Sequence, residues 1–324
     1  MKAMVYERYG GPEVLDLRDL PRPTPGGTDV LVRVRAASLN RSDWENLVGR
    51  PAYARLAGGL RRPRRKVLGS DFAGEVVAIG SAVTRFAVGN RVFGDLMFHG
   101  ASTFAEYVCF PESAPVTAVP TELSFAQAAT LPQAGIIAFQ GMKGVSTGMK
   151  VLVVGGGGAT GLFAIQLASA AGAIVTATDS AAKLEKMRSL GAASAFDYRT
   201  SELSDSGQKF DLILDPIAGL SPTTALQLLD KGGRYLVVGG STRSLLATFL
   251  LGLVYRPGGK RLGVLVVQPG TEALNQLAQL AASGQLRVGI EREFPLEDLP
   301  VALRRIGDEH ALGRLVLSID GASD

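Results

Sequence analysis

Cysteine and histidine are almost missing from this chain of 324 residues: Cys109 stands alone, and His99 and His310 are the two histidines. A single cysteine excludes an intramolecular disulfide and suits a reducing compartment. Structural zinc usually takes four cysteines and catalytic zinc takes soft sulfur or imidazole ligands, so this composition predicts a protein without metal. His99 reads as a loop residue, because no partner ligands accompany it. No Ser-His-Asp or Cys-His arrangement is evident. Long apolar runs are missing too. The longest stretch, Leu245 to Tyr255, is too short to cross a bilayer. The opening Met1-Lys2-Ala3-Met4-Val5-Tyr6-Glu7 has no signal-peptide core. A cytoplasmic protein without stable membrane insertion is therefore expected. Neither sign of charge dominates, and a net charge of +4 is no argument for nucleic acid. Neither internal repeats nor low-complexity segments are evident.

Glycine, by contrast, is abundant at 40 residues. The stretch that organises the chain begins Lys150-Val151-Leu152-Val153-Val154 and stops at four glycines, Gly155 to Gly158, followed by Ala159-Thr160-Gly161. Leu162-Phe163-Ala164-Ile165-Gln166-Leu167-Ala168 then continues with helical length. A strand, a glycine turn and a helix give G-x-G-x-x-G (Gly156, Gly158, Gly161) the context that the bare string lacks. Glycines permit the tight turn and close backbone approach to a pyrophosphate, while the helix N-terminus supplies N–H donors and positive dipole. This stretch predicts a dinucleotide site.

Around it the rhythm changes twice. Residues 1 to 120 alternate short strands with turns, as in Asp29 to Ala36, Gly74 to Gly80 and Asn90 to Gly94, which predicts a compact β barrel or antiparallel sheet. From 121 to 264 helices alternate with strands: 151–154, 161–171, 174–178, 181–190, 212–215, 223–229 and 235–239. That pattern predicts a doubly wound parallel sheet. The tail from 265 to 324 holds an amphipathic helix at Thr271 to Ser283 and a closing strand at Arg314 to Ile319, and is expected to return to the first domain.

Four segments carry a family resemblance. Ser38-Leu39-Asn40-Arg41-Ser42-Asp43-Trp44, Gly69-Ser70-Asp71-Phe72-Ala73-Gly74-Glu75-Val76 with Val83 and Gly89-Asn90-Arg91-Val92, Leu131-Pro132-Gln133-Ala134-Gly135, and the glycine loop through Tyr198 follow one another in family order. The chain resembles the zinc-independent quinone oxidoreductase branch of the medium-chain dehydrogenases/reductases. The resemblance implies an α/β chain with a discontinuous GroES-like β-barrel catalytic domain (1–120 and 265–324) and a central Rossmann domain (121–264). It implies an NADPH-dependent, metal-free transfer of hydride to a quinone or an activated carbon–carbon double bond, and commonly a homodimer. Where zinc-dependent relatives place a catalytic Cys and a His-Glu pair, this chain has Asn40 and Ser70-Asp71.

The resemblance also implies residue roles. Asn40 becomes the catalytic hydrogen-bond donor, against the plainer reading of an Asn capping a helix at 41–48. Gly155, Gly156, Gly158, Ala159, Thr160, Gly161 and Gly239 become cofactor-binding, and Ser180, Lys183 and Tyr198 match positions that hold the 2′-phosphate of NADP. Read from the residues alone, Asp179 lies near where an acid binds the ribose 2′-OH of NAD, so NADH stays possible. Two positions depart from the family pattern. Glu45 stands where relatives commonly have an aromatic or Lys, and reads as a solvated helix-face carboxylate; a proton donor in an apolar pocket, its pKa raised by burial, is the alternative. Ile137 stands where they often have Thr. Arg55, Arg61, Arg62, Arg64, Arg65 and Lys66 form a basic run that reads as a solvated loop; contact with an anionic substrate or a membrane surface is the alternative. Zinc-independent alcohol–carbonyl chemistry and a non-catalytic nucleotide sensor remain as rival functions.

Overall fold

A computed structural model describes residues 1–200, 203, 207–308 and 311–319. The chain divides into two compact units, Met1–Gln133 with the described residues from Pro269 onward, and Ala134–Gln268.

The first unit opens with an antiparallel pair, β1 (Lys2–Val5) and β2 (Asp16–Asp19). Then come β3 (Asp29–Ser38), the short helices α1 (Arg41–Val48) and α2 (Ala52–Gly58), β4 (Asp71–Ile79), β5 (Arg91–Asp95), β6 (Tyr107–Pro111), β7 (Val116–Ala118) and α3 (Phe125–Ala129). Its β3 alternates Val30, Val32 and Val34 inward with arginines outward, the period-two pattern of a half-buried strand. These valines join Phe72, Phe104 and Phe110 in one core.

The second unit runs α4 (Pro132–Gly141), β8 (Lys150–Val154), α5 (Ala159–Ala170), β9 (Ile174–Asp179), α6 (Leu184–Ser189), β10 (Ser194–Asp197), β11 (Phe210–Asp215), α7 (Pro222–Leu228), β12 (Leu229–Val237), α8 (Thr242–Val254) and β13 (Arg261–Val264). Its six strands are all parallel, in the order β10-β9-β8-β11-β12-β13. Strands covered on both faces read as continuous apolar runs, which is why Val151 to Val154 and Leu212 to Leu214 show no alternation. Strand order reverses between β8 and β11, so the crevice beyond their carboxyl ends is the expected ligand position.

The chain returns to the first unit through α9 (Thr271–Ala282), β14 (Ile290–Pro295), α10 (Leu299–Gly307) and β15 (Arg314–Ser318). Strands β14-β15-β3-β4-β5-β7 form a seven-stranded sheet with β6, which pairs with β3. Every pairing is antiparallel except β14 with β15.

The unit limits lie later than the sequence rhythm places them. Residues 121 to 133 belong with the first unit because α3 packs on β3, β4, β5 and β15. Residues 265 to 268 stay with the second, where Leu265 N–H donates to Val237 and Gln268 exchanges hydrogen bonds with Gln140. The strands β10 and β13 and the helix α10 carry no distinct signal in the sequence. The two strands have four residues each, and α10 follows Pro295 and contains Pro300. Once formed, α10 buries Leu299, Ala302 and Leu303 on one face, and each fully buried Leu contributes about 1.5–3 kcal/mol.

Candidate active site

In the second unit the end of β8, the glycine loop and the start of α5 form one continuous turn. Gly155 takes φ +65°, Gly156 N–H donates to Thr178 O at 2.9 Å, and Gly158 N–H donates to Gly155 O at 3.0 Å. Gly158 is an extended N-cap without a side chain, so the first N–H groups of α5, at Ala159 and Thr160, face outward without a side-chain cap. The glycines are sterically required. A Cβ on Gly161 would lie 2.4 Å from Gly155 O, and one on Gly156 would lie 2.7 Å from Met187 Sδ. Such a cradle fits a pyrophosphate. Gly161→Ala is expected to force the loop open and raise the Kd for NADPH at least ~100-fold, measured by fluorescence titration with circular dichroism as the folding control. Unchanged affinity would show that the cradle is not the nucleotide site. Gly239 lies just beyond β12, its N–H donating to Pro216 O at 3.1 Å. The 216–220 loop is tied down by Asp215, which accepts from Ile217, Gly219 and Leu220 N–H and from Tyr235 Oη.

At the end of β9, Asp179 dominates. Its carboxylate accepts Gly157 N–H at 3.0 Å and Ser180 N–H at 2.8 Å, and pairs with Lys183 Nζ at 3.2 Å. Both side chains of that pair are 11% exposed. Lys183 is therefore no solvated helix residue; a Cβ on Gly157 would meet its Cδ at 2.5 Å. Ser180 donates Oγ to the same carboxylate at 3.4 Å. Tyr198, past the neighbouring β10, is exposed, and Arg199 stacks over its ring at 5.4 Å. The structure thus brings Ser180 and Lys183 together around Asp179, and adds Arg199 beside Tyr198.

In the first unit, Asn40 ends the loop after β3 and starts α1. Its backbone conformation is that of an N-cap, and its carboxamide also has partners beyond the helix. Nδ2 donates to Asp71 Oδ2 at 2.9 Å, and Oδ1 accepts from Arg314 Nη1 at 3.1 Å. Asp43, at the third helical position, closes a capping box with Asn40, its carboxylate accepting Asn40 N–H at 2.7 Å. Arg314, first residue of β15 and 2% exposed, also donates to Ser38 Oγ and lies 3.6 Å from Asp71. Gln133 N–H donates to Asp71, and Asp95 faces Asp71 across β4 and β5. Two buried carboxylates, Asp71 and Asp43, thus share the Arg314 guanidinium, and a third, Asp95, faces Asp71.

Burial lifts all three acids above the ordinary carboxylate range, and Asp43 is pushed up to about 7. Burial also lowers Arg314. For Asp43 the sign follows directly: an acid whose pKa rises on folding stabilises the fold below its unfolded value, and that stability is lost as pH climbs through about 7. The melting temperature of the wild type is expected to fall between about pH 5 and about pH 8, and that of Asp43→Asn to fall less. Scanning calorimetry across the window checks this; equal slopes would remove Asp43 from the account.

Three comparisons fit this geometry. Residues 26–121 match the alcohol dehydrogenase GroES-like domain, 124–218 the C-terminal domain of alanine dehydrogenase/PNT, and 190–317 the family model described as zinc-binding dehydrogenase. The chloroplast envelope quinone oxidoreductase homolog of Arabidopsis thaliana is 31% identical, covering 98% of both chains. The chain belongs to the quinone oxidoreductase branch of the medium-chain dehydrogenases/reductases. A second Arabidopsis relative, the NADPH-dependent alkenal/one oxidoreductase, is 32% identical over 98% of this chain and 79% of its own. The quinone oxidoreductase structure from Coxiella burnetii superposes with TM-score 0.89, at 31% identity and 99% coverage of both chains.

As a family member the chain can be tested for a metal frame. Where the resemblance places the zinc ligands of metal-dependent relatives stand Asn40, Ser70 and Asp71, all oxygen or amide donors, already bonded to Arg314 or to one another. A second cation there would face the guanidinium at close range, so these residues do not fit zinc. Among the described residues no cluster of three His, Cys, Asp or Glu side chains could hold a metal. His99 lies in the loop after β5, and His310 lies outside the described residues.

Glu45 departs from expectation. It is half-buried, accepts Tyr53 Oη at 3.2 Å, and its carboxyl is raised by burial; burial, followed by the Glu45 carboxylate, pushes Tyr53 up to about 12. It is not a solvated helix-face carboxylate, because α2 folds back beside α1 and covers it. Ile137 is half-buried on α4. Arg314, Asp43 and Arg199 stand at these candidate sites without a role assigned to them from the sequence. Arg314 lies 274 residues from its partner Asn40, and no local pattern announces it.

Proposed function

We propose that the protein is an NADPH-dependent reductase of quinones or activated carbon–carbon double bonds, working without a metal. The observation that carries this reading is the Asn40 carboxamide, held on one side by Asp71 and on the other by Arg314. Donation from a guanidinium to Oδ1 polarises the amide and strengthens its remaining N–H as a donor. Bound NADPH supplies the hydride. The free N–H of Asn40 then holds the substrate oxygen on which charge collects, a role for which a conjugated acceptor suffices without a Lewis acid. The glycine cradle and α5 N-terminus hold the pyrophosphate, and Ser180, Lys183 and Tyr198 meet the 2′-phosphate. The alkenal/one oxidoreductase relative supports both the cofactor and the substrate class.

The test follows NADPH and NADH absorbance with 1,4-benzoquinone, 9,10-phenanthrenequinone, an enone and simple ketones. Turnover of quinones or enones is expected; turnover of ketones alone, or nucleotide binding without turnover, overturns the reading. Stoichiometric zinc by metal analysis would overturn its metal-free part. Asn40→Ala is expected to lower kcat about 100-fold while the NADPH Kd stays within about twofold.

The same reading takes the protein to be a cytoplasmic homodimer. Leu246, Phe249, Leu250, Leu253 and Val254 of α8 are more than half exposed, beside β13 at the open edge of its sheet. A second copy covering that edge and face is what light scattering would detect.

A further inference from the structure

The basic stretch is largely exposed, as its composition predicts, but it is anchored at several points. Between Glu45 and Asp71 the chain has no acidic residue and seven cations, Arg50, Arg55, Arg61, Arg62, Arg64, Arg65 and Lys66. Three of these have structural partners. Arg55 donates to Gly49 O and stacks on Tyr9 at 4.7 Å, Lys66 pairs with Glu7, and Arg65 donates to Met97 O at 2.9 Å. Arg61, Arg62 and Arg64 are exposed and make no ion pair among the described residues.

The loop that carries them is built. Tyr9 Oη donates to Gly59 O at 2.5 Å, and Arg64 N–H closes back on Gly58 O at 2.8 Å. Gly59 takes φ +124°, and a Cβ there would lie 2.2 Å from Arg62 O, so the turn is tight. Three large apolar side chains are exposed on this loop and on the segment Arg65 ties to it: Leu56 at 69%, Leu60 at 66% and Phe98 at 68%. Phe98 belongs with them because Arg65 ties the loop to its neighbour Met97. A fixed protein partner would favour a contiguous apolar core within a polar rim. Here single apolar side chains stand among guanidiniums without acidic partners, and nucleic acid would require interleaved aromatics for stacking.

We propose that this loop is a reversible docking site for an anionic lipid bilayer, with Arg61, Arg62 and Arg64 on the phosphates and Leu56, Leu60 and Phe98 dipping into the interface. The charges are complementary, and the mixture of basic and apolar side chains is that of an interfacial anchor rather than a span. No helix among the described residues is long and apolar enough to cross a membrane, so attachment here is peripheral. The site is independent of the redox reading; it would place the enzyme where lipophilic acceptors dissolve.

Flotation of the full-length protein with phosphatidylcholine vesicles and with mixed phosphatidylcholine–phosphatidylglycerol vesicles tests it. Binding to the anionic vesicles alone is expected, with release as salt rises from about 0.1 to about 1 M and the Debye length shrinks from ~10 to ~3 Å. Arg61→Gln/Arg62→Gln/Arg64→Gln is expected to lose roughly fivefold per cation, about a hundredfold in all. The matching triple Lys variant should bind like the wild type, and Leu60→Ser/Phe98→Ser should weaken binding without changing its salt dependence. No flotation, equal binding to neutral vesicles, or full binding by the Gln variant would overturn the proposal. Capture of an acidic soluble protein without vesicle binding would do the same.

Discussion

Replacing Arg314 by Met is expected to lower the melting temperature by about 10 °C or more, from a loss of ~3–5 kcal/mol. The reason is electrostatic. Arg314 is the guanidinium beside the buried Asp71 and Asp43, standing 3.6 Å from Asp71, while the buried Asp95 faces Asp71 from β5. At an effective dielectric of about 20, a pair at that distance attracts by roughly 4–5 kcal/mol. Met fills the aliphatic volume but leaves Asp71 facing Asp95 without a counter-charge. Two further results separate this from simple repacking. The deficit should shrink as pH falls, because the acids then take protons. Asp71→Asn in the Arg314→Met background should recover part of the loss, since one unpaired carboxylate goes with it. A pH-independent deficit, or strictly additive losses, would mean that packing rather than charge holds this cluster.

A different outcome is expected at the nucleotide end. Asp179→Asn should tighten NADPH binding about tenfold and weaken NADH binding, as measured by titration without substrate. In the wild type the Lys183 ammonium is already neutralised by the Asp179 carboxylate at 3.2 Å, nearly out of solvent. A 2′-phosphate must compete with that carboxylate for Lys183 and also bear its repulsion. Removing the charge frees the lysine, whereas a ribose 2′-OH loses an acceptor. Lys183→Met should then weaken NADPH binding more in the Asp179→Asn background than in the wild type. The fragment 2′,5′-ADP should follow NADPH, which isolates the effect at the 2′ end. If NADPH affinity is unchanged or weaker in Asp179→Asn, Asp179 does not restrain the phosphate site.

Much of the second unit is legible in the sequence because its signals are local. The glycine loop joins a run of five strand residues to a helix, and every glycine that matters lies within seven positions of the next element. The helical pattern at 271–283 corresponds to α9, and α3 is started by Ser124 accepting Gln127 N–H. The first unit is legible as short strands, but not in its polar interior. The motif around Asn40 picks that residue out, and the helix-capping alternative holds beside it: Asn40 is the N-cap of α1 and closes a capping box with Asp43. Glu45 escapes a local reading because its cover, Tyr53, comes from a separate helix.

By itself the sequence determined the fold family, the dinucleotide turn and the poverty of metal ligands, since each depends on residue types at short spacing. Tertiary structure alone decided what surrounds those residues. It brought Arg314 to Asn40 across 274 positions, clamped Lys183 onto Asp179, and set Leu60 and Phe98 outward among arginines without acidic partners. Charge pairing and burial are properties of distance in space, and β15 reaches β3 only when the chain has closed its sheet.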